Sequence, residues 1–418
     1  MHERDRWTPM ISLLRRPAVL ASVVCVLLVV VLIGLFVAGG SDGDVETEAA
    51  DSTSTTEPQA STSTSDVQSA RRELSSPATE TVASTTSLPS DADAGTTSVP
   101  ESTTSTTPDP APVRIPRPSC ADGLGAPVAQ LAPFTGLNAS IPTGLPAVVV
   151  KVSNNNSSSR AALIGLDQAD IVFEERIEAT ATRFAAVFHS QLPQNVGPVR
   201  SGRTTDIGIL RNLGTPVLGY SGSNNGVAQQ FREAAANGWF VPVINTDRAP
   251  FARDTRYSAP DNLFVDPTSL GACGNGGSPG PIFRYGQASS TTARQASRVS
   301  LDARSPYRFD WSGPDGWVRS QDGSPHITRT GESLAPANVV VLFVRYVPSA
   351  IDASSVDAET LGSGTAWIFR DGTITIGSWS RPAFAARYTL TDGAGVETTL
   401  APGSTWVVLA PEGSASWS

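Results

Sequence analysis

The chain has 418 residues, with 30 Lys or Arg against 39 Asp or Glu and a formal net charge of -9. That acidic balance argues against a nucleic-acid-binding surface, which needs clustered positive charge. Lys151 is the single lysine, so nearly all positive charge is arginine. With abundant Ala, Gly and Pro, this skew fits an exported bacterial protein from a G+C-rich genome.

Residues 1–16 carry Arg4, Arg6, Arg15 and Arg16, and the uncharged apolar run Pro17 to Ala38 follows. At about 1.5 Å rise per residue that run matches the roughly 30 Å hydrocarbon core of a bilayer. Asp42, Asp44, Glu46 and Glu48 come next, so the positive side stays cytoplasmic and the rest is exported. The run reads as a single-pass signal anchor. A cleaved signal peptide is the competing reading, but its apolar region is usually shorter and ends in an A-x-A-like site. Cys25 is preceded by Val24, where a lipoprotein cysteine wants a small residue.

Residues 41–118 form a linker. Of these 78 residues, 31 are Ser or Thr and none is aromatic, so the stretch cannot bury enough apolar surface to offset its chain entropy. It reads as a disordered spacer that lifts the folded part off the membrane. A glycosylated stalk is the alternative.

In residues 119–285 strand and helix patterns alternate. Strands are predicted over 147–153, 171–178, 183–189, 216–220 and 239–244, and helices over 161–169, 204–213 and 226–237. This alternation indicates an α/β lobe. The Gly/Ser/Thr-rich stretch 273–304 reads as a connection. In residues 300–415, strands over 339–347, 366–369, 373–379 and 405–409 are broken by G-P-D-G (313–316) and by Asp-Gly at 322, 371 and 392. Asp-Gly between apolar runs is a strong hairpin signal, so a mainly-β lobe is expected to pack on the first. Cys120 and Cys273 would both face an oxidising compartment. A disulfide tying the start of the folded part to its middle is one reading, and two unpaired thiols are the other.

Clustered motifs in this folded part resemble the YerB family, a bacterial lipoprotein group built from paired domains of unknown function. F-T-G-L (134–137), Q-A-D-I-V-F-E (168–174), T-R-F-A-A-V-F (182–188) and G-P-V-R-S-G-R (197–203) resemble its N-terminal domain. H-I-T-R-T-G (326–331), N-V-V-V (338–341), F-R-D-G-T-I-T-I-G-S-W (369–379) and P-G-S-T-W-V (402–407) resemble its C-terminal domain. Two departures stand out. The lipobox is missing, so anchoring here is by a helix, and Asp261 stands where the family tends to carry a His, so no role resting on that His is carried over. The resemblance implies no established biochemical activity.

The residues themselves offer two chemistries. In a strand over 171–178, Val172, Glu174, Arg176 and Glu178 share one face, while Ile171, Phe173, Glu175 and Ile177 share the other. Glu174 and Glu178 would then lie about 13 Å apart at roughly 3.3 Å per residue, too far for the about 5–9.5 Å of a glycosidase pair. Catalysis by Asp170, Glu174 or Glu178 would need a carboxylate from elsewhere, and a salt-bridged polar face is the simpler reading. Glu175 on the apolar face needs a buried partner. The G-P-V-R-S-G-R turn before a predicted helix is the better site. Arg200 and Arg203, with Arg183 one strand away, form an anion site or pair internally, for instance with Asp206.

His189 and His326 lack metal-ligand spacing, and G-Y-S-G-S (219–223) departs from the nucleophile elbow G-x-S-x-G. No Walker loop or Rossmann fingerprint occurs, so neither metal nor cofactor is assigned. Trp311, Trp317, Trp367, Trp379 and Trp406 read as β-lobe core in preference to sugar platforms. The sequence therefore points to a membrane-anchored envelope module. It would bind an anionic wall polymer or lipid-linked ligand, or dock on an envelope protein. A wall glycan hydrolase or transferase using the acids is the alternative.

Overall fold

The computed structural model describes residues 124–247, 250–274 and 277–418. The segments read as anchor (17–38) and linker (41–118), and Cys120, lie outside the described residues. Among the described residues no helix is long and apolar enough to cross a membrane. Cys273 is disulfide-bonded, and the two other cysteines of the chain, Cys25 and Cys120, lie outside the described residues.

Strands dominate the described residues. The central strands are Val148–Ser153 (β1), Ile171–Arg176 (β2), Thr182–Phe188 (β3), Val217–Tyr220 (β4), Val241–Ile244 (β5), Asn338–Phe343 (β6), Gly362–Arg370 (β7), Thr373–Arg381 (β8) and Thr405–Ala410 (β9). They join one 11-stranded sheet in the order β8-β7-β6-β9-β2-β3-β1-β4-β5, with Arg294–Gln295 and Thr389–Asp392 both pairing with β8. β6, β9 and β2 are parallel, as are β1, β4 and β5, while β3 runs antiparallel between β2 and β1.

The two halves read from the sequence therefore share a sheet. β6 (NVVVLF) and β9 (TWVVLA) are buried throughout, and such continuous apolar runs need both faces and both edges covered. Pairing β9 with β2 satisfies that requirement across the halves. The stretch 273–304, expected as a connection, also contributes the strands Arg294–Gln295 and Arg298–Leu301.

Alternation along β1 sorts the two faces. Val148, Val150 and Val152 join one core with Phe184, Trp406, Val299, Phe309 and Trp317. That core lies under the five-stranded sheet built from Arg298–Leu301, Tyr307–Trp311, Trp317–Gln321, Ser324–Pro325 and Ala415–Trp417. Ala147 and Val149 join the other core with Ile209, Leu210, Val227 and Phe231. This second face is covered by helices Thr204–Leu210 (α2) and Asn225–Ala236 (α3). The helix predicted over 161–169 is displaced. Asn156 caps helix α1 (Ser157–Ala161) by accepting from the Ser159 N–H at 2.9 Å, and Gly165 at φ 78° ends the helical path before a 3-10 turn over Leu166–Gln168.

Two of the three Asp-Gly signals are realised as two-residue loops: Asp371-Gly372 and Asp322-Gly323 both take positive φ at the two turn positions. At the third, Asp392 ends the strand Thr389–Asp392 and its N–H donates to the Val396 carbonyl at 2.9 Å across a longer turn. Trp317, Trp379 and Trp406 are buried in the cores, as core tryptophans should be.

Candidate functional site

Strands β1, β4 and β5 point their C-terminal ends the same way, the edge where open α/β sheets usually place ligands. At this edge Ser153 (β1) pairs with Arg183 (β3), and Arg183 pairs with Glu175 (β2). The three side chains thus form one cross-strand row on the helix-covered face. The turn Gly197–Arg203 pairs antiparallel with the end of β1, Val199 opposite Val152. Its Arg200 N–H donates to the Lys151 carbonyl and its Arg200 carbonyl accepts from the Ser221 N–H, both at 2.9 Å. The G-Y-S-G segment after β4 therefore serves as a backbone clamp on the arginine turn. Gly202 is required there because a Cβ would meet the Phe231 ring at 2.5 Å.

Beneath the turn lies a buried ion triad. Lys151 Nζ donates to Glu175 Oε1 at 2.5 Å and to Asp206 Oδ1 at 2.7 Å, and all three side chains are fully excluded from solvent. Asp206 Oδ2 also accepts the Arg203 backbone N–H at 2.7 Å. Glu175 is the odd carboxylate on the apolar face, and Lys151 and Asp206 are its environment. Burial pushes its pKa up, Lys151 opposes that shift and the Asp206 charge reinforces it.

Above the triad three guanidinium groups converge. Arg183 is 2% exposed, and its pKa is lowered to about 10 by burial and then by the charges of Arg203 and Arg200. Its terminal nitrogens make long contacts, 3.3 Å to the Ser201 carbonyl and 3.4 Å to Asn155 Oδ1. Arg203 donates to Glu178 at 2.9 Å. Arg200 lies 3.9 Å from Asp261. The Nε atoms of all three arginines are buried without a hydrogen-bond partner, as are Ser153 Oγ and Glu175 Oε2. Buried polar atoms are nearly always satisfied; the Nε atoms of Arg319 and Arg381 are also without a partner, but singly, whereas here five such atoms fall in one cluster.

A cleft of about 670 Å³ adjoins this edge, lined by Thr204 and Thr205 directly after Arg203, and by Trp239, Asp357 and Phe384. Arg211 lies 3.7 Å from the Trp239 ring centroid and 4.2 Å from that of Phe384, which fixes both rings.

The acidic candidates are placed elsewhere. Glu174 faces the opposite side of the sheet, where it accepts from Arg319 Nη2 at 2.9 Å, Thr182 Oγ1 at 2.7 Å and Trp406 Nε1 at 2.8 Å, with no exposure. Arg319 in turn sits among the rings of Tyr307, Phe309, Phe184 and Trp406 and contacts His326. This pair locks the two sheets together. Asp170 caps the other end of β2 by accepting the Ser190 N–H at 2.8 Å, and burial raises its pKa to about 6. Five residues of strand separate Asp170 from Glu175, about 16 Å at 3.3 Å per residue. Glu178 does not continue the strand, which ends at Arg176. It sits in the turn Glu178–Thr180, off the face predicted for it. Burial works against its charge, but Arg203 holds its pKa below the ordinary value. The structure thus brings together Arg183, Arg200, Arg203 and Glu178, and separates them from Asp170 and Glu174.

Sequence reasoning missed Lys151 and Ser153 as parts of the site. Lys151 carried one signal, being a lone lysine inside an apolar strand. Among the described residues no group of three His, Cys, Asp or Glu side chains could hold a metal ion.

Two domain models of one family match the folded part of the chain. Residues 134–277 match the family described as "Protein of unknown function (DUF3048) N-terminal domain", and residues 297–407 match its C-terminal domain. The chain belongs to this YerB-like family. It is 26% identical over 296 residues to "Putative lipoprotein YerB" of Bacillus subtilis (strain 168), covering 67% of this chain and 86% of that one. The crystal structure of YerB from Bacillus subtilis superposes with a TM-score of 0.60 at 23% identity, covering 69% of this chain and 99% of that one.

Proposed function

We propose that this protein is a membrane-anchored, extracytoplasmic binding module that holds an anionic wall polymer or lipid-linked ligand at Arg183, Arg200 and Arg203. One observation carries the reading: the Nε groups of three arginines whose charges act on one another are buried with no hydrogen-bond partner among the described residues. Guanidinium forks match carboxylate and phosphate oxygens, and such charge-assisted bonds are strong when desolvated. The adjoining cleft supplies room for the body of a ligand. The apolar run 17–38, the linker 41–118 and the lipoprotein name of the Bacillus subtilis relative support a place at the outer face of the membrane.

Binding is favoured over hydrolysis because the carboxylates are engaged. Glu174 is paired with Arg319, Asp170 with Ser190, and Glu178 with Arg203. A pull-down of the purified protein on isolated cell wall tests both readings. Wild type binds, Arg200→Ala/Arg203→Ala loses at least tenfold in affinity, and no muropeptide appears in the supernatant. Equal binding by the double variant defeats the module, and released fragments make the protein an enzyme.

A further inference from the structure

The arginine site carries more than positive charge. Counting the groups that surround it, Lys151, Arg183, Arg200 and Arg203 are matched by Glu175, Glu178, Asp206 and Asp261. A plain anion hole would not hold four carboxylates. Three of the four are accounted for: Glu178 binds Arg203, Asp206 caps the Arg203 N–H and holds Lys151, and Asp261 lies 3.9 Å from Arg200. Glu175 is different. Lys151 takes Oε1, and Oε2 is left buried and unpartnered in the same cross-strand row as Arg183 and Ser153.

A carboxylate oxygen facing a bound anion repels it unless a proton lies between them. Arg183, Arg200 and Arg203 offer only donors, as arginines always do. The unpaired acceptor at Glu175 Oε2 and the donor-acceptor hydroxyl of Ser153 therefore ask for a ligand that both accepts and donates. We infer that the site takes a hydroxyl-bearing oxyanion of the phosphate class, with its oxygens on the three arginines and its hydroxyl proton on Glu175 Oε2. Sulfate, and a phosphate ester with no hydroxyl, lack that proton. The hydroxyl can be the P–OH of hydrogen phosphate or the C–OH of a polyol phosphate, and the chemistry at Glu175 is the same. This inference rests on the anion-binding reading above and adds selectivity to it. Burial, which favours a protonated Glu175 and opposes a bare carboxylate there, is consistent with a position that shares a proton. Lys151, Asp206, Arg183 and Tyr346 are the titratable and charged groups acting on Glu175.

Calorimetric titration of the full-length protein in detergent at pH 8.5 tests it with four probes: inorganic phosphate, glycerol 3-phosphate, methyl phosphate and sulfate. At this pH inorganic phosphate keeps a P–OH and glycerol 3-phosphate keeps its carbon hydroxyls, while the other two have none. The expected result is that at least one hydroxyl-bearing probe binds tenfold or more tightly than both methyl phosphate and sulfate. Preference for inorganic phosphate places the hydroxyl on phosphorus, and preference for glycerol 3-phosphate places it on the polyol. In Glu175→Gln, whose amide can donate to a bare oxygen, the preference over sulfate falls to threefold or less. Should that variant fail to fold, the four wild-type titrations decide alone. Equal binding of all four overturns the selectivity and leaves anion binding standing. Binding of none overturns both.

Discussion

Replacing Lys151 with methionine is the sharpest perturbation of the site's foundation. Methionine keeps the length and apolar stem of the lysine, so packing between β1 and α2 changes little. The ammonium is lost, and Glu175 and Asp206, both fully buried, are left facing each other without the cation at 2.5 and 2.7 Å. Breaking a buried ion cluster by removing one partner typically costs about 3–5 kcal/mol. With a urea slope of about 3 kcal/mol per molar, at the upper end for single domains, that lowers the unfolding midpoint by roughly 1–1.7 M. The loss depends on pH with a definite sign. Without the ammonium that opposes the effect of burial, Glu175 holds its proton to higher pH in the folded state, so Lys151→Met is closest to wild type in mild acid and falls away as pH rises. Urea titrations at pH 5 and pH 8, followed by tryptophan fluorescence, read this directly. A variant within 1 kcal/mol of wild type at pH 8 would refute the buried triad.

Three further outcomes follow from named contacts. Burial raises Asp170 to about 6 from an ordinary 3.8, so the folded state holds this proton where the unfolded chain has lost it. Stability then declines as pH rises from about 4 to 6, by at most about 3 kcal/mol, and Asp170→Asn flattens that slope in urea titrations. Asp254, whose hydrogen bonds from Arg256 hold it down at about 2, acts oppositely and at lower pH. Its contribution is present above 3.8 and lost as pH falls toward 2, so Asp254→Asn reduces the acid sensitivity below pH 4. Glu174→Gln costs about 3 kcal/mol by leaving Arg319 buried without its anion, yet leaves phosphate affinity unchanged. A loss of affinity without loss of stability would reinstate Glu174 as a working residue.

Local chemistry made much of the fold legible. Asp-Gly turns at 322 and 371 locate hairpins because few residues tolerate positive φ at two successive positions, and the apolar runs of β1, β6 and β9 announce buried strands. The single strand over 171–178 failed at its end because Ala179 and Thr180 adopt positive φ, which turns Glu178 off the sheet. Pairing was far less legible. Glu175 needed a partner, but Lys151 lies 24 positions before it and Asp206 a further 55 positions along from Lys151. Arg319 meets Glu174 across 145 positions. Sheet order decides such contacts, and periodicity within a strand carries no information about order. The arginine turn was readable because Arg200, Arg203 and a following helix fall within one short segment. Its orphan Nε groups were not, since satisfaction of a buried donor is a property of three dimensions.

The most direct test of the anion site is a crystal structure of the protein grown with arsenate at pH 8, a phosphate-like oxyanion that keeps one hydroxyl and scatters anomalously. An anomalous peak is expected within hydrogen-bond reach of the Arg183, Arg200 and Arg203 side chains, on the Ser153 side of the turn. Arsenate bound elsewhere with that position empty at saturating concentration would contradict the site.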